Sequence, residues 1–112
     1  MKKIMITLLM ACSFTIIFGQ DSTALKFDPL KKVLQVEAAC GQCQLNMKGK
    51  GCTLAVRIKG KSYFVEKAHI DAFGDAHDTA GFCNAIRKAR VQGKIVNGKF
   101  VATYFELLGV EL

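Results

Sequence analysis

The sequence predicts a mainly β domain, an OB-like five-stranded barrel with a short helix between strands 3 and 4. Residues 52–59 alternate between apolar and polar side chains, and Asn97-Gly98 marks a second hairpin. One earlier strand and a helical segment complete the order strand, hairpin, helix, hairpin, which is typical of an OB barrel. A small open α+β sheet would explain the same order. We favour the barrel because so short a chain covers both faces of a flat sheet poorly.

The first three strands follow from short apolar segments and one turn signal. Residues 33–39 predict the first strand, and the alternation of residues 52–59 predicts the second. Gly60-Lys61 predicts a tight turn with glycine at its first central position. Residues 63–65 then predict the return strand of this hairpin.

Two segments between the hairpins have helical character. Residues 68–73 predict a short helical turn, and residues 79–88 predict a short amphipathic helix. The second prediction rests on a spacing of i, i+3, i+4 and i+7 between four apolar residues, which are Phe82, Ala85, Ile86 and Ala89. The predicted helix therefore precedes the fourth strand.

The second hairpin closes the predicted fold. Residues 91–96 pair with residues 99–108 across Asn97-Gly98, because Asn-Gly is the strongest signal for a type I′ turn. Gly93 interrupts the first arm of this hairpin and predicts a bulge or a sharp bend.

The first residues have the features of a signal peptide. Lys2 and Lys3 precede the apolar run 4–18, which is too short for a membrane span of ~20 residues. We therefore predict that residues 1–19 are a signal peptide and that the mature protein is exported, to the periplasm or outside the cell. The alternative is a lipid anchor on Cys12, which lies in a lipobox-like Leu-Met-Ala-Cys segment.

The mature chain is expected to be an N-terminal arm, residues 20–31, followed by a small cysteine-containing β domain, residues 32–112. Its core is thin, and domains of this size are often supplemented by disulfides or a metal. The formal net charge of the full sequence is +7, but the basic residues are scattered along the chain. We expect a metal ion or an unidentified protein as partner, no nucleic acid, and no transmembrane segment in the mature chain.

Four cysteines follow the leader, and the first two form a Cys-x-x-Cys motif. They are Cys40, Cys43, Cys52 and Cys83. Such a set in an exported domain has three explanations, which are a bound metal, disulfides, or thiol redox chemistry. All three remain open from the sequence.

Metal binding is the leading hypothesis. A Cys-x-x-Cys turn presents two thiolates to one ion, and the other two cysteines complete a tetrahedral set for zinc or copper. His77 and His69 are further candidate ligands. Asp75 and Asp78 flank the loop that carries His77, so either carboxylate is a candidate for orienting the imidazole.

The alternatives use the same thiols. A disulfide-stapled interaction domain would pair Cys40 with Cys43 and Cys52 with Cys83, which is one of three possible pairings. A periplasmic thiol–disulfide redox protein is the third hypothesis. Pro29 is the only proline and precedes the Cys-x-x-Cys motif, so a thioredoxin fold is disfavoured.

Other enzyme classes find no support in the sequence. It contains no glycine-rich phosphate loop after a strand, no nucleophile elbow, and no His-x-Glu motif of the zinc deaminases. We therefore predict a binding module rather than an enzyme and assign no catalytic residue.

Several segments of the chain are distinctive enough to indicate a family. They are Cys40-Gly41-Gln42-Cys43, Gly49-Lys50-Gly51-Cys52, Leu54-Ala55-Val56-Arg57-Ile58, Gly74-Asp75-Ala76-His77 and Gly81-Phe82-Cys83-Asn84-Ala85-Ile86-Arg87-Lys88-Ala89. Over residues 36–108 the chain resembles a group of small exported bacterial proteins of unknown function. The resemblance implies a shared fold and a shared set of cysteines and histidines, and it implies no activity.

Overall fold

A computed structural model describes residues 25–109 of the chain. The predicted signal peptide, residues 1–19, and the alternative lipidation site Cys12 lie outside these residues. The elements in chain order are β1 Leu34–Cys40, α1 Gly41–Gln44, β2 Leu54–Ile58, β3 Lys61–Glu66, a 3₁₀ helix Ile70–Phe73, β4 Arg87–Val96 and β5 Lys99–Leu107.

The five strands form a closed barrel in the order β1-β2-β3-β5-β4, with β4 paired back to β1. Neighbouring strands are antiparallel except β3 and β5, which are parallel. The 3₁₀ helix lies between β3 and β4, within the helical turn predicted over residues 68–73. The predicted OB-like fold class, mainly β with a short helical element at this position, is confirmed.

Both hairpins form, and both use type I′ turns. Asn97 and Gly98 have φ values of 52° and 77°, as the Asn-Gly signal predicts. In the first hairpin the turn residues are Lys59 and Gly60, with φ values of 51° and 82°, one residue earlier than predicted. Glycine is thus at the second central position of this turn, and Lys59 takes the left-handed conformation. The predicted irregularity at Gly93 is confirmed by a register shift in the pairing of β4 with β5.

The helix predicted over residues 79–88 is wrong. The chain forms successive hydrogen-bonded turns there, in one of which the Ala85 N–H donates to the Gly81 carbonyl at 2.9 Å. β4 already begins at Arg87, which pairs with Ala38 of β1. The hydrogen bonds that close the barrel therefore take the last two residues of the predicted helix, Arg87 and Lys88, so tertiary pairing overrides the local periodicity.

The barrel interior is a single apolar core to which every strand contributes. Alternate residues of β1 point inward, and the last of these is Cys40, which has no exposed surface. The buried members of the core are Val36, Ala38, Cys40, Leu54, Val56, Val65, Ile70, Ala76, Phe82, Ala89, Val91, Phe100, Ala102 and Phe105. A cysteine is thus built into the end of the core.

A buried glutamine of β4 helps to attach the segment that precedes β1 to the barrel. Gln92 is fully buried; its side chain donates to the carbonyls of Asp28 and Lys31 at 2.6 and 3.0 Å, and accepts from the Asp28 N–H at 2.8 Å. These bonds hold the segment against β4. Within residues 25–109 no helix has the length and apolar character that a membrane crossing requires.

Candidate metal centre

The four predicted cysteines meet at one end of the barrel. Their Sγ atoms all lie within 4.8 Å of one another, and all four are free thiols. They come from the end of β1, from α1, from the loop before β2 and from the loop before β4. We refer to this set as the cysteine cluster: Cys40, Cys43, Cys52 and Cys83.

Two members of the cluster are positioned by the short helix α1. Cys40 caps this helix, and its Sγ accepts a hydrogen bond from the Cys43 N–H at 3.1 Å. The two sulfur atoms are 2.7 Å apart. Gly41 between them is buried, and a Cβ there would lie 2.7 Å from both Met47 Sδ and Phe64 Cε1. Only glycine therefore allows the turn to pack this close to the barrel.

Backbone hydrogen bonds attach the other two cysteine-bearing loops to the end of β1. The Cys40 N–H donates to the Phe82 carbonyl at 2.9 Å, and the Gly41 N–H donates to the Thr53 carbonyl at 2.9 Å. Phe82 and Thr53 are each one residue from a cysteine of the cluster. The bonds therefore fix where both loops meet α1.

Two glutamines of α1 strengthen these attachments. Gln42 accepts from the Thr53 N–H at 2.8 Å and donates to the Thr53 hydroxyl at 3.0 Å. Gln44 donates to the Cys83 carbonyl at 2.9 Å. Sequence analysis assigned them no role, because their partners lie 11 and 39 residues away. In the sequence, the one indication that these glutamines act at the site is that both flank Cys43.

The loop that carries Cys83 is anchored by a hydrogen bond and by aromatic packing. The Cys83 N–H donates to the Ala76 carbonyl at 2.9 Å. The preceding residue, Phe82, is buried and contacts Phe73 of the 3₁₀ helix edge-on, with ring centroids 6.0 Å apart. Cys83 is therefore held in place by packing as well as by hydrogen bonds.

Neither predicted histidine ligand belongs to the group of ligand atoms that meet within 4.8 Å. His77 is exposed on the loop before β4, where its backbone N–H donates to Asp75 Oδ1 at 2.9 Å. His69 is also exposed and lines a cavity of about 190 Å³ together with Cys52. The roles of both histidines as ligands, and of Asp75 and Asp78 as orienting carboxylates, stay predictions.

The thiols of the cluster differ in exposure. Cys40 is buried and Cys83 is half-buried, whereas Cys43 and Cys52 are exposed. The sulfur atoms of the two exposed cysteines are 3.5 Å apart. The cluster therefore has a closed side formed by the barrel and an open side formed by Cys43 and Cys52.

The thiols also differ in acidity. Burial raises the pKa of Cys40, but hydrogen bonds from the thiol and backbone N–H of Cys43 lower it more, so the net pKa is lowered. The hydrogen bond with Cys40 raises the pKa of Cys43 well above its ordinary value. Burial, with a hydrogen bond to Cys52, raises the pKa of Cys83 to about 11. Cys40 is therefore the first of these three thiols to ionise.

The arrangement has the chemistry of a tetrahedral thiolate site. Zinc–sulfur bonds of about 2.3 Å place neighbouring sulfurs of a tetrahedron about 3.8 Å apart. All sulfur pairs of the cluster lie within 4.8 Å, so it has the dimensions to surround one ion. Soft thiolate ligands favour zinc and Cu(I) over the hard cations Mg²⁺ and Ca²⁺.

Comparison with known proteins gives one result for this chain. No curated protein and no solved structure matches it significantly. The family of unknown function DUF6370 matches residues 34–108, which contain all five strands and the whole cysteine cluster. The match confirms the resemblance to a family of unknown function. Because it covers well over half of the sequence, the chain belongs to DUF6370.

Proposed function

We propose that the protein is a small exported binding module that holds one transition-metal ion between the four thiolates of the cysteine cluster. The observation that carries the proposal is the meeting of four Sγ atoms within 4.8 Å at the end of the barrel. Four sulfur ligands in a tetrahedron are typical of zinc, which we take as the first choice of metal, with Cu(I) as the second.

The ligand set also indicates what kind of zinc site this is. Catalytic zinc keeps one coordination position open for water or substrate, whereas four protein ligands fill the tetrahedron. The cluster supplies all four, so we assign the protein a binding role rather than an enzymatic one. Coordination also protects thiols in an oxidising compartment, where free cysteines are otherwise converted to disulfides.

A second candidate function is reversible disulfide formation between Cys40 and Cys43. It is favoured by the 2.7 Å between their sulfur atoms and by the lowered pKa of Cys40. A further bond between Cys52 and Cys83 would give the purely structural version of this alternative. The same four thiols thus serve all three hypotheses, and the metal content and oxidation state of the exported protein distinguish them.

The proposal is tested on the exported protein, purified without chelators and analysed for metals and intact mass before and after alkylation. We expect one zinc per chain and four reduced cysteines.

Cys40→Ser should lower zinc affinity by more than about 100-fold, because it removes a ligand rather than a supporting group. His77→Ala, a matched control outside the cluster, should retain the zinc. Two fixed disulfides without metal would overturn the proposal in favour of the stapled domain, and one reducible Cys40–Cys43 bond without metal would favour redox chemistry.

A further inference from the structure

We infer that the bound metal is exchanged rather than permanently held, and that it is exchanged at Cys52 with an acidic, thiol-bearing partner. This inference rests on the proposed function. Within one cluster, the structure combines one buried and one half-buried ligand, Cys40 and Cys83, with an exposed pair, and the two exposed ligands are not held equally.

The first argument is access. Cys40 is buried at the end of the barrel core and Cys83 is half-buried, so an incoming ligand cannot approach the metal past them. Cys43 and Cys52 form the open side of the cluster. Any exchange of ligands must therefore replace one of these two.

The second argument is the tethering of these two cysteines. Cys43 lies within α1, and its N–H is bonded to Cys40 Sγ. Cys52 ends a loop, residues 48–52, that makes no backbone–backbone hydrogen bond outside the strands with any residue of the described range 25–109. Two side-chain contacts hold the loop: Gln42 Nε2 donates to the Lys50 carbonyl at 3.4 Å, and the sulfur atoms of Cys52 and Cys43 are 3.5 Å apart. Segments with so few hydrogen bonds open locally at low free energy, so Cys52 is the ligand that leaves.

The exchange step is a ligand substitution without a change in oxidation state. The thiol of the partner loses its proton and forms a metal–sulfur bond, while the bond from the metal to Cys52 breaks. The proton released by the incoming thiol is taken up by the Cys52 thiolate. Cys40, Cys43 and Cys83 hold the metal during this step, and further substitutions transfer it to the partner.

The charge of the loop indicates the chemistry of the partner. Lys48 and Lys50 are both exposed on the loop that ends at Cys52. Their positive charges attract anions, so a partner with acidic groups beside its thiols associates faster than a neutral or cationic one. Soft sulfur ligands are also the ones that compete with thiolates for zinc or Cu(I).

The test measures transfer of zinc from the loaded protein to the chromophoric chelator 4-(2-pyridylazo)resorcinol. We expect glutathione, an anionic thiol, to accelerate transfer more than cysteamine, a cationic thiol, and added salt to reduce this difference.

Gln42→Ala, which frees the loop, should raise the transfer rate about tenfold. Gln44→Ala, the matched control that frees Cys83, should raise it less than about threefold. Equal acceleration by both variants, or by both thiols, would overturn the inference.

A second measurement needs no variant. Brief treatment of the zinc-loaded protein with iodoacetamide, followed by peptide mapping, should label Cys52 about ten times faster than Cys43 or Cys83. Faster labelling of either of the other two would contradict Cys52 as the leaving ligand. A protein that contains no zinc at all would contradict the proposed function itself, so the two failures are distinguishable.

Discussion

At the scale of single residues, four chemically identical side chains acquire different properties from their places in the fold. Cys40 ends an inward-facing row of a strand, and hydrogen bonds from Cys43 favour its thiolate. Cys83 keeps its proton because burial disfavours the charged form. The cluster therefore starts from a partly protonated state, and a metal ion must displace protons to bind.

This difference in acidity makes metal affinity depend on pH. In the metal-free protein the pKa of Cys83 is about 11 and that of Cys43 is also raised, so both thiols are protonated at neutral pH. Zinc binding must release at least these two protons, and rising pH therefore strengthens binding. We expect the apparent affinity to increase at least about 100-fold per pH unit near neutrality, measured by competition with a chelator. An affinity independent of pH would contradict the assigned protonation states.

Sequence analysis identified the cysteines but not what holds them. The Cys-x-x-Cys spacing and the even number of thiols are visible in the chain, and they point to a shared site. The roles of Gln42 and Gln44 are not visible, because a polar side chain carries no sign of the distant residue that it contacts. Exposure of Cys52 and burial of Cys40 likewise follow only from the closed barrel.

At the scale of elements, the site depends on tight loops more than on regular structure. The loop before β4 turns so closely at Gly81 that a Cβ would lie 2.3 Å from the Ala76 carbonyl oxygen. The same carbonyl accepts the hydrogen bond from the Cys83 N–H. A side chain at position 81 must therefore push the chain at Gly81 away from Ala76, and this close approach is what places Cys83.

Gly81→Ala should accordingly destabilise the protein by about 1–3 kcal/mol, through overpacking against backbone, and should weaken metal binding by displacing Cys83. Gly109→Ala is the matched control, because its Cβ would meet nothing within 4 Å. We expect the control to change stability by less than about 0.5 kcal/mol in urea unfolding. Equal effects of the two substitutions would show that the close approach at Gly81 is not a constraint.

The attachment of the segment before β1 gives a prediction away from the site. Gln92→Leu removes the three hydrogen bonds to Asp28 and Lys31 and leaves their backbone groups without these partners. We expect a loss of about 1–3 kcal/mol in unfolding free energy, with metal stoichiometry unchanged. Gln35→Leu, at an exposed position of β1, should have an effect within about 0.5 kcal/mol. If the two variants unfold alike, the buried glutamine does not anchor the segment.

The elements were predictable where local signals and tertiary structure agree. Alternation and Asn97-Gly98 encode the hairpins locally, and both hairpins form. The segment 79–88 has a helical spacing of apolar residues, yet its last two residues, Arg87 and Lys88, pair with β1. Because that pairing joins residues about 50 positions apart, no local pattern reveals it.

At the scale of the whole molecule, closure of the barrel is what assembles the site. The pairing of β1 with both β2 and β4 brings the loops that precede β2 and β4 to the same end of β1. The four sulfur atoms meet there although the cysteines span residues 40–83. The sequence analysis predicted a shared site for the thiols, but it predicted neither the strand pairings that bring the cysteine-bearing segments together nor the sulfur–sulfur distances.

The apolar core spans all five strands, so the barrel should fold without metal. We expect chelation to leave the β-sheet circular dichroism spectrum unchanged while lowering the free energy of unfolding. Restoring zinc to a free concentration of about 100 times its dissociation constant should recover about 2.7 kcal/mol, because only the folded chain assembles the site. A chain that unfolds completely on chelation would show that the core alone does not support the barrel.

The central claim is that four cysteine sulfurs surround one metal ion, and X-ray absorption at the zinc edge tests it most directly. The account predicts a single shell of four sulfur atoms at about 2.3 Å from zinc in the exported protein. A shell with two or more nitrogen or oxygen neighbours would contradict it, as would a preparation in which the cysteines are oxidised and no zinc edge is detected.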